Sequence, residues 1–176
     1  TEMEAYCYNG MFANCTKLTS APELPAKRLE SNCYNCMFEG CTSLTSAPEL
    51  PATYLVRECY HSMFNGCTSL TSAPILPATT LDWGCYSEMF QGCTSLTSAP
   101  ELPAKELIRN CYQLMFKDCS KLRYVKALFT TSPSEETTKD WLSGVAASGT
   151  FVKSKNATWN VIGVHGIPKG WKIETR

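Results

Sequence analysis

A 26-residue period constrains this chain more than any other feature in it. The stretch Cys59-Tyr60-His61-Ser62-Met63-Phe64-Asn65-Gly66-Cys67-Thr68-Ser69-Leu70-Thr71-Ser72-Ala73-Pro74 reappears 26 residues earlier and later with mainly polar positions changed. Cysteines stand at 7, 33, 59, 85 and 111, and again at 15, 41, 67, 93 and 119. Met-Phe pairs keep the same register, from Met11-Phe12 through Met37-Phe38, Met63-Phe64 and Met89-Phe90 to Met115-Phe116. A fixed period of about 20 to 50 residues marks a solenoid or another repeat array. One such unit cannot bury its apolar side alone, and stacking buries it against its neighbours.

Within a repeat, residues Cys7 to Asn14 read as a short helix. At about 100° per residue, Cys7, Tyr8, Met11 and Phe12 share one face. The next position reads Asn14, Gly40, Gly66, Gly92 and Asp118, types that tolerate the left-handed conformation of a helix end. Thr and Ser then flank Leu18 in a segment with no helix-capping pattern, so a strand of about Leu18 to Ala21 is expected. Pro22 should end it, because proline cannot donate to a sheet ladder. Leu29, Leu55, Leu81 and Leu107 supply another inward rung. The expected fold is therefore an α/β repeat solenoid, with short parallel strands on one side and short helical turns on the other.

The pattern Met-Phe-x-Gly-Cys-Thr-Ser-Leu-Thr-Ser-Ala-Pro-x-Leu-Pro resembles the BspA-like leucine-rich repeats of bacterial surface proteins. That repeat has a Phe, then Cys, then Ser-Leu, then a strand ending in Pro. Phe64, Cys67, Ser69-Leu70 and Pro74 or Pro77 sit at matching places. The resemblance covers residues 7 to about 124, with a longer period and paired prolines that depart from the family. It implies a right-handed leucine-rich-repeat-like array and an extracellular, cell-surface protein engaged in attachment.

The fifth repeat decays after Cys119, where Ser120-Lys121-Leu122-Arg123-Tyr124-Val125 replaces the usual pattern. Ser132-Pro133-Ser134-Glu135 then matches a helix start, with Ser132 as N-cap and Pro at the first helical position. That helix should carry Trp141, Leu142 and Val145 and stop near Gly144 or Gly149. Strands are expected around Phe151-Val152, Trp159 to Ile162 and Gly170 to Ile173. An open solenoid end exposes its core, so a cap is expected there. The division is residues 1–128 as a five-repeat solenoid and residues 129–176 as a small α+β C-terminal cap. Because Thr1 falls just before a repeat, the chain reads as a monomeric fragment of a longer protein.

Sixteen Lys and Arg balance sixteen Asp and Glu. A neutral chain argues against nucleic acid, which calls for a basic face. No stretch approaches the roughly 20 apolar residues of a membrane span. Ten of the eleven cysteines keep the period and only Cys36 falls outside it, which favours buried thiols. Their spacings of eight and eighteen do not suit a zinc site, so neither metal nor cofactor is expected. Neighbouring strands lie close enough for disulfides, but aligned thiols point the same way and most should be reduced.

No phosphate-binding loop or hydrolase motif is present, and no catalytic residue is expected. His61, at a variable polar position, reads as a solvated residue. The tyrosine ladder (Tyr8, Tyr34, Tyr60, Tyr86, Tyr112) reads as core with a polar tip reaching solvent. Exposed hydroxyl and acidic positions recur between the rungs, and the candidate binding surface is Thr19, Glu23, Thr45, Glu49, Thr71, Thr97 and Glu101. Such a surface can hydrogen-bond a glycan or a protein backbone; equally, hydroxyl residues suit any exposed strand, and glutamates blunt a sheet edge. The expected function is a non-enzymatic binding or adhesion module. The alternative is a structural spacer or fibre segment of a surface or phage-borne appendage. A thiol or metal protein is a third class, tested by metal analysis.

Overall fold

A computed structural model describes residues 3–176, so Thr1 and Glu2 of the expected 1–128 solenoid lie outside the described residues. The repeats stack as rungs. Their tyrosine rings stand 5.8 to 6.1 Å apart from Tyr8 to Tyr112. The phenylalanine rings stand 5.5 to 5.6 Å apart from Phe12 to Phe116. From the second rung onward Cys, Tyr, Met, Phe, Cys and Leu of each repeat are buried. These ladders form one continuous core.

The short helix expected over Cys7 to Asn14 and its equivalents does not form. The segment is a run of turns in every repeat. In the second rung, Cys33, Asn35, Met37 and Glu39 donate their N–H groups three residues back, to the carbonyls of Glu30, Asn32, Tyr34 and Cys36. The intervening residues Asn32, Tyr34, Cys36, Phe38 and Gly40 instead donate forward, to Arg57, Cys59, His61, Met63 and Asn65 of the next rung. A helix would have satisfied all these groups internally and bonded no rung to its neighbour. The alternation requires a left-handed residue at every fourth position, as at Asn32, Cys36 and Gly40 or Glu58, Ser62 and Gly66. Away from glycine that conformation costs about 1–2 kcal/mol per residue, and the bonds between rungs offset it.

The strand side is sparser. Ser20, Ser46 and Ser72 pair only through single parallel bridges. A longer strand, β1, runs from Ser98 to Leu102 and passes through Pro100 rather than ending there. Its register with β2 (Tyr124–Ala127) slips by one residue between Ser98 and Glu101. The residues flanking the proline-free β2 add donors, Arg123 and Leu128 giving their N–H groups to the carbonyls of Thr97 and Leu102.

Beyond residue 128 the chain joins the same sheet. Strands β3 (Thr150–Lys153) and β4 (Lys172–Thr175) extend it in parallel, in the order β1-β2-β3-β4. The helix expected from Ser132 through Val145 shrinks to α1, Glu135–Thr138, with Ser134 as its N-cap. It stops because Asp140 and Gly144 turn left-handed and the chain becomes another rung. Leu114, Phe116 and Asp118 donate to the carbonyls of Lys139, Trp141 and Ser143, as earlier rungs do. Trp141 is fully buried and donates its indole N–H to the Gly166 carbonyl at 2.8 Å. The strand expected from Trp159 to Ile162 is reduced to one bridge between Ile162 and Ile167.

Candidate binding surface

The thiols are walled in by the stack. All eight ladder cysteines from Cys33 to Cys119 are buried, and all eleven cysteines are free. The second column does more than fill space: Cys41, Cys67, Cys93 and Cys119 donate their thiols to the carbonyls of Phe12, Phe38, Phe64 and Phe90, at 3.0 to 3.1 Å. Burial pushes the Cys33 thiol up to about 11 and those of Cys67, Cys111 and Cys119 to about 12. A reactive cysteine requires the opposite, an exposed thiol with a depressed pKa. Off the ladder, Cys36 donates to Asn35 Oδ1 at 2.8 Å. It too is raised to about 12, first by burial and then by Glu39.

Two expectations about polar tips are corrected. The tyrosine hydroxyls do not reach solvent in the middle of the stack, where Tyr60, Tyr86 and Tyr112 are buried. The Tyr60 and Tyr112 hydroxyls have no hydrogen-bond partner among the described residues. His61 is half-buried rather than solvated, with Nε2 at 3.3 Å from Ser62 Oγ. Glu88 Oε2 lies 3.4 Å from the same hydroxyl, so the carboxylate bonds the serine and not the imidazole. In a catalytic triad the acid bonds the far nitrogen of the histidine, whereas here Glu88 meets the serine hydroxyl itself.

Every residue of the candidate surface is exposed: Thr19, Glu23, Thr45, Glu49, Thr71, Thr97 and Glu101. The threonines line up along the bridged serines. Thr45 and Thr71 donate their hydroxyls to the carbonyls of Thr19 and Thr45, at 3.5 and 3.2 Å, so part of the ladder is spent on itself. Glu101 is tied to Lys126 at 2.7 Å. Glu23 and Glu49 form no ion pair among the described residues.

Beside the glutamates lies a feature that the sequence reading passed over. Successive Pro-x-Leu-Pro segments leave three adjoining hollows of about 450, 270 and 450 Å³ between the first four rungs. Glu49 borders the first two and Ile75 the second two. Ile75 is 83% exposed where the other repeats carry glutamate. That substitution was the available signal. Among the described residues no group of His, Cys, Asp and Glu is placed to hold a metal ion.

Stacked rungs joined by parallel pairing, with leucine and aromatic ladders inside, define a leucine-rich-repeat type of solenoid. A family model described as BspA type leucine rich repeat region (6 copies) matches residues 5–133. The chain belongs to the BspA-type leucine-rich repeat family. No curated protein and no solved structure matches it. No helix among the described residues is long and apolar enough to cross a membrane.

Proposed function

We propose that this chain is a non-enzymatic binding or adhesion module of a bacterial cell-surface protein, presenting its repeat surface to a protein or glycan. The observation behind this reading is the contrast between the two sides of each repeat. The thiols and aromatic rings are buried, while threonine and glutamate recur at exposed positions on successive rungs. Membership of the repeat family supports a surface location. Residues 129–176 would cap the C-terminal end of the stack.

The continuity of the tyrosine and phenylalanine ladders from the first rung to the fifth favours a second reading, a rigid spacer whose end makes the contact. A binding screen of glycans and host-surface proteins against the whole chain, repeated with residues 59–84 deleted, separates the two. Deletion removes one whole rung and keeps the register. A surface binder should lose affinity and a spacer should keep it. Silence across both panels would count against the binding module.

A further inference from the structure

We propose that the proline-lined groove between the first four rungs is a docking site for a short extended peptide bearing a basic side chain and, two residues on, a large apolar one. This rests on the binding-module reading and names the site and the chemistry of the partner.

The groove walls are prolines on both sides: Pro22 and Pro25, Pro48 and Pro51, Pro74 and Pro77, Pro100 and Pro103. Prolines fix the backbone, so the walls are set before anything binds. A preorganised groove loses less conformational freedom on association. Paired prolines also leave few backbone donors there, so recognition falls to side chains.

Charge is uneven along the groove. Glu23 and Glu49 stand exposed at the end nearer the N-terminal rungs, while Glu101 at the other end is neutralised by Lys126. Between these ends sits Ile75, the most exposed large apolar side chain among the described residues at 83%. A partner that complements this order puts a cation over Glu23 and Glu49 and an apolar group over Ile75.

Length agrees. Rungs spaced by about 4.8 Å make a four-rung groove about 14 Å long, which four or five extended residues span at about 3.3 Å each. Side chains two residues apart on one side of such a peptide are about 6.7 Å apart. That is enough to move from the Glu49 hollow to the hollows on either side of Ile75.

The test uses the whole chain and fluorescein-labelled peptides Gly-Lys-Ser-Phe-Ser-Gly, Gly-Glu-Ser-Phe-Ser-Gly and Gly-Lys-Ser-Ser-Ser-Gly, read by fluorescence anisotropy. The first should bind on the order of tenfold more tightly than either other peptide, and added salt should weaken it. Ile75 is 83% exposed, so Ile75→Ser leaves the core untouched, removes the apolar group without adding charge beside Glu49, and should weaken binding of the first peptide by about tenfold. Glu49→Gln should reduce the preference for lysine over glutamate, and Thr158→Ala, outside the lining of the groove, should change nothing. Binding that ignores Ile75→Ser overturns the proposal, as does a preference for the acidic peptide. If no peptide binds while the chain still retains a glycan or protein in the broader screen, the groove is refuted and the binding module stands.

Discussion

The first four rungs and the last three strands are held together differently. Among the described residues of the first four rungs the strand sides meet one another only through the single bridges Ser20–Ser46, Ser46–Ser72 and Tyr54–Thr80, and β1 in the fourth rung pairs onward with β2, while the turn side bonds each rung to the next through alternate amides. From Tyr124 onward no strand carries a proline, and β2, β3 and β4 pair residue for residue over four positions each. The same core runs through both regions. Neighbouring repeats can therefore give up their sheet where both carry the proline pair, provided that their turns take over the bonding between rungs; β1, with Pro100, pairs because the adjoining β2 has no proline.

That contrast is broken most severely in the turn column. Phe64 is fully buried between Phe38 and Phe90, at 5.6 Å from each. Phe64→Ala should cost about 3–5 kcal/mol. Ser72→Ala, on the exposed strand, should stay within about 0.5 kcal/mol. Urea unfolding followed by far-UV circular dichroism compares the two. Equal effects would place the main support on the strand side after all.

The buried thiols sharpen the same comparison through pH. Their folded pKa values lie above the unfolded value of about 8.5. Above that pH the unfolded chain ionises first and releases protons that the folded chain keeps, so stability falls with rising pH. The contribution is intact below about pH 8. It should be lost as pH climbs through the folded values, about 11 for Cys33 and about 12 for Cys67, Cys111 and Cys119. Unfolding midpoints measured across this range should be flat and then decline. A thiol reagent at neutral pH should modify exposed Cys15 fastest and half-buried Cys7 and Cys36 more slowly, and should reach all eleven only after denaturation without reductant. About one reactive thiol in the denatured chain would mean that the ladders are disulfide-bonded.

Smaller effects follow from the backbone. Gly66 sits at φ +72°, with ordinary space around an added Cβ, 3.7 Å from the Gly40 backbone. Gly66→Ala should therefore cost only the left-handed penalty of about 1–2 kcal/mol.

The period, the membership of each ladder and the burial of the thiols were legible because side chains repeat with the rungs. The turn conformation was not. A helix and this run of turns both put Cys, Tyr, Met and Phe inward, so periodicity alone does not separate them. The deciding residues are Cys36, Ser62, Glu88 and Leu114, which are left-handed although nothing in their side chains favours it. Bonds to the rungs on either side impose that conformation, and those bonds are invisible within one repeat. The additional rung near Trp141 was hidden because Trp141-Leu142 replaces Met-Phe, although Gly144 keeps the place of Asp118. Tyrosine tips expected in solvent are covered by neighbouring rungs, which a reading of one helix face does not include. All seven threonines and glutamates of the candidate surface were legible as exposed, whereas the groove emerges only when four Pro-x-Leu-Pro segments are stacked.

Native-state amide hydrogen exchange tests the division of labour most directly, because each amide reports its own opening. The alternate amides of the third rung, Glu58, Tyr60, Ser62, Phe64 and Gly66, bond forward to Trp83, Cys85, Ser87, Met89 and Gln91. They should be protected as strongly as the amides of β2 and β3, while Ser46 and Ser72 on the strand side exchange rapidly. Rapid exchange across residues 58–66, with protection confined to β2 and β3, would contradict the turn column as the main support of the stack.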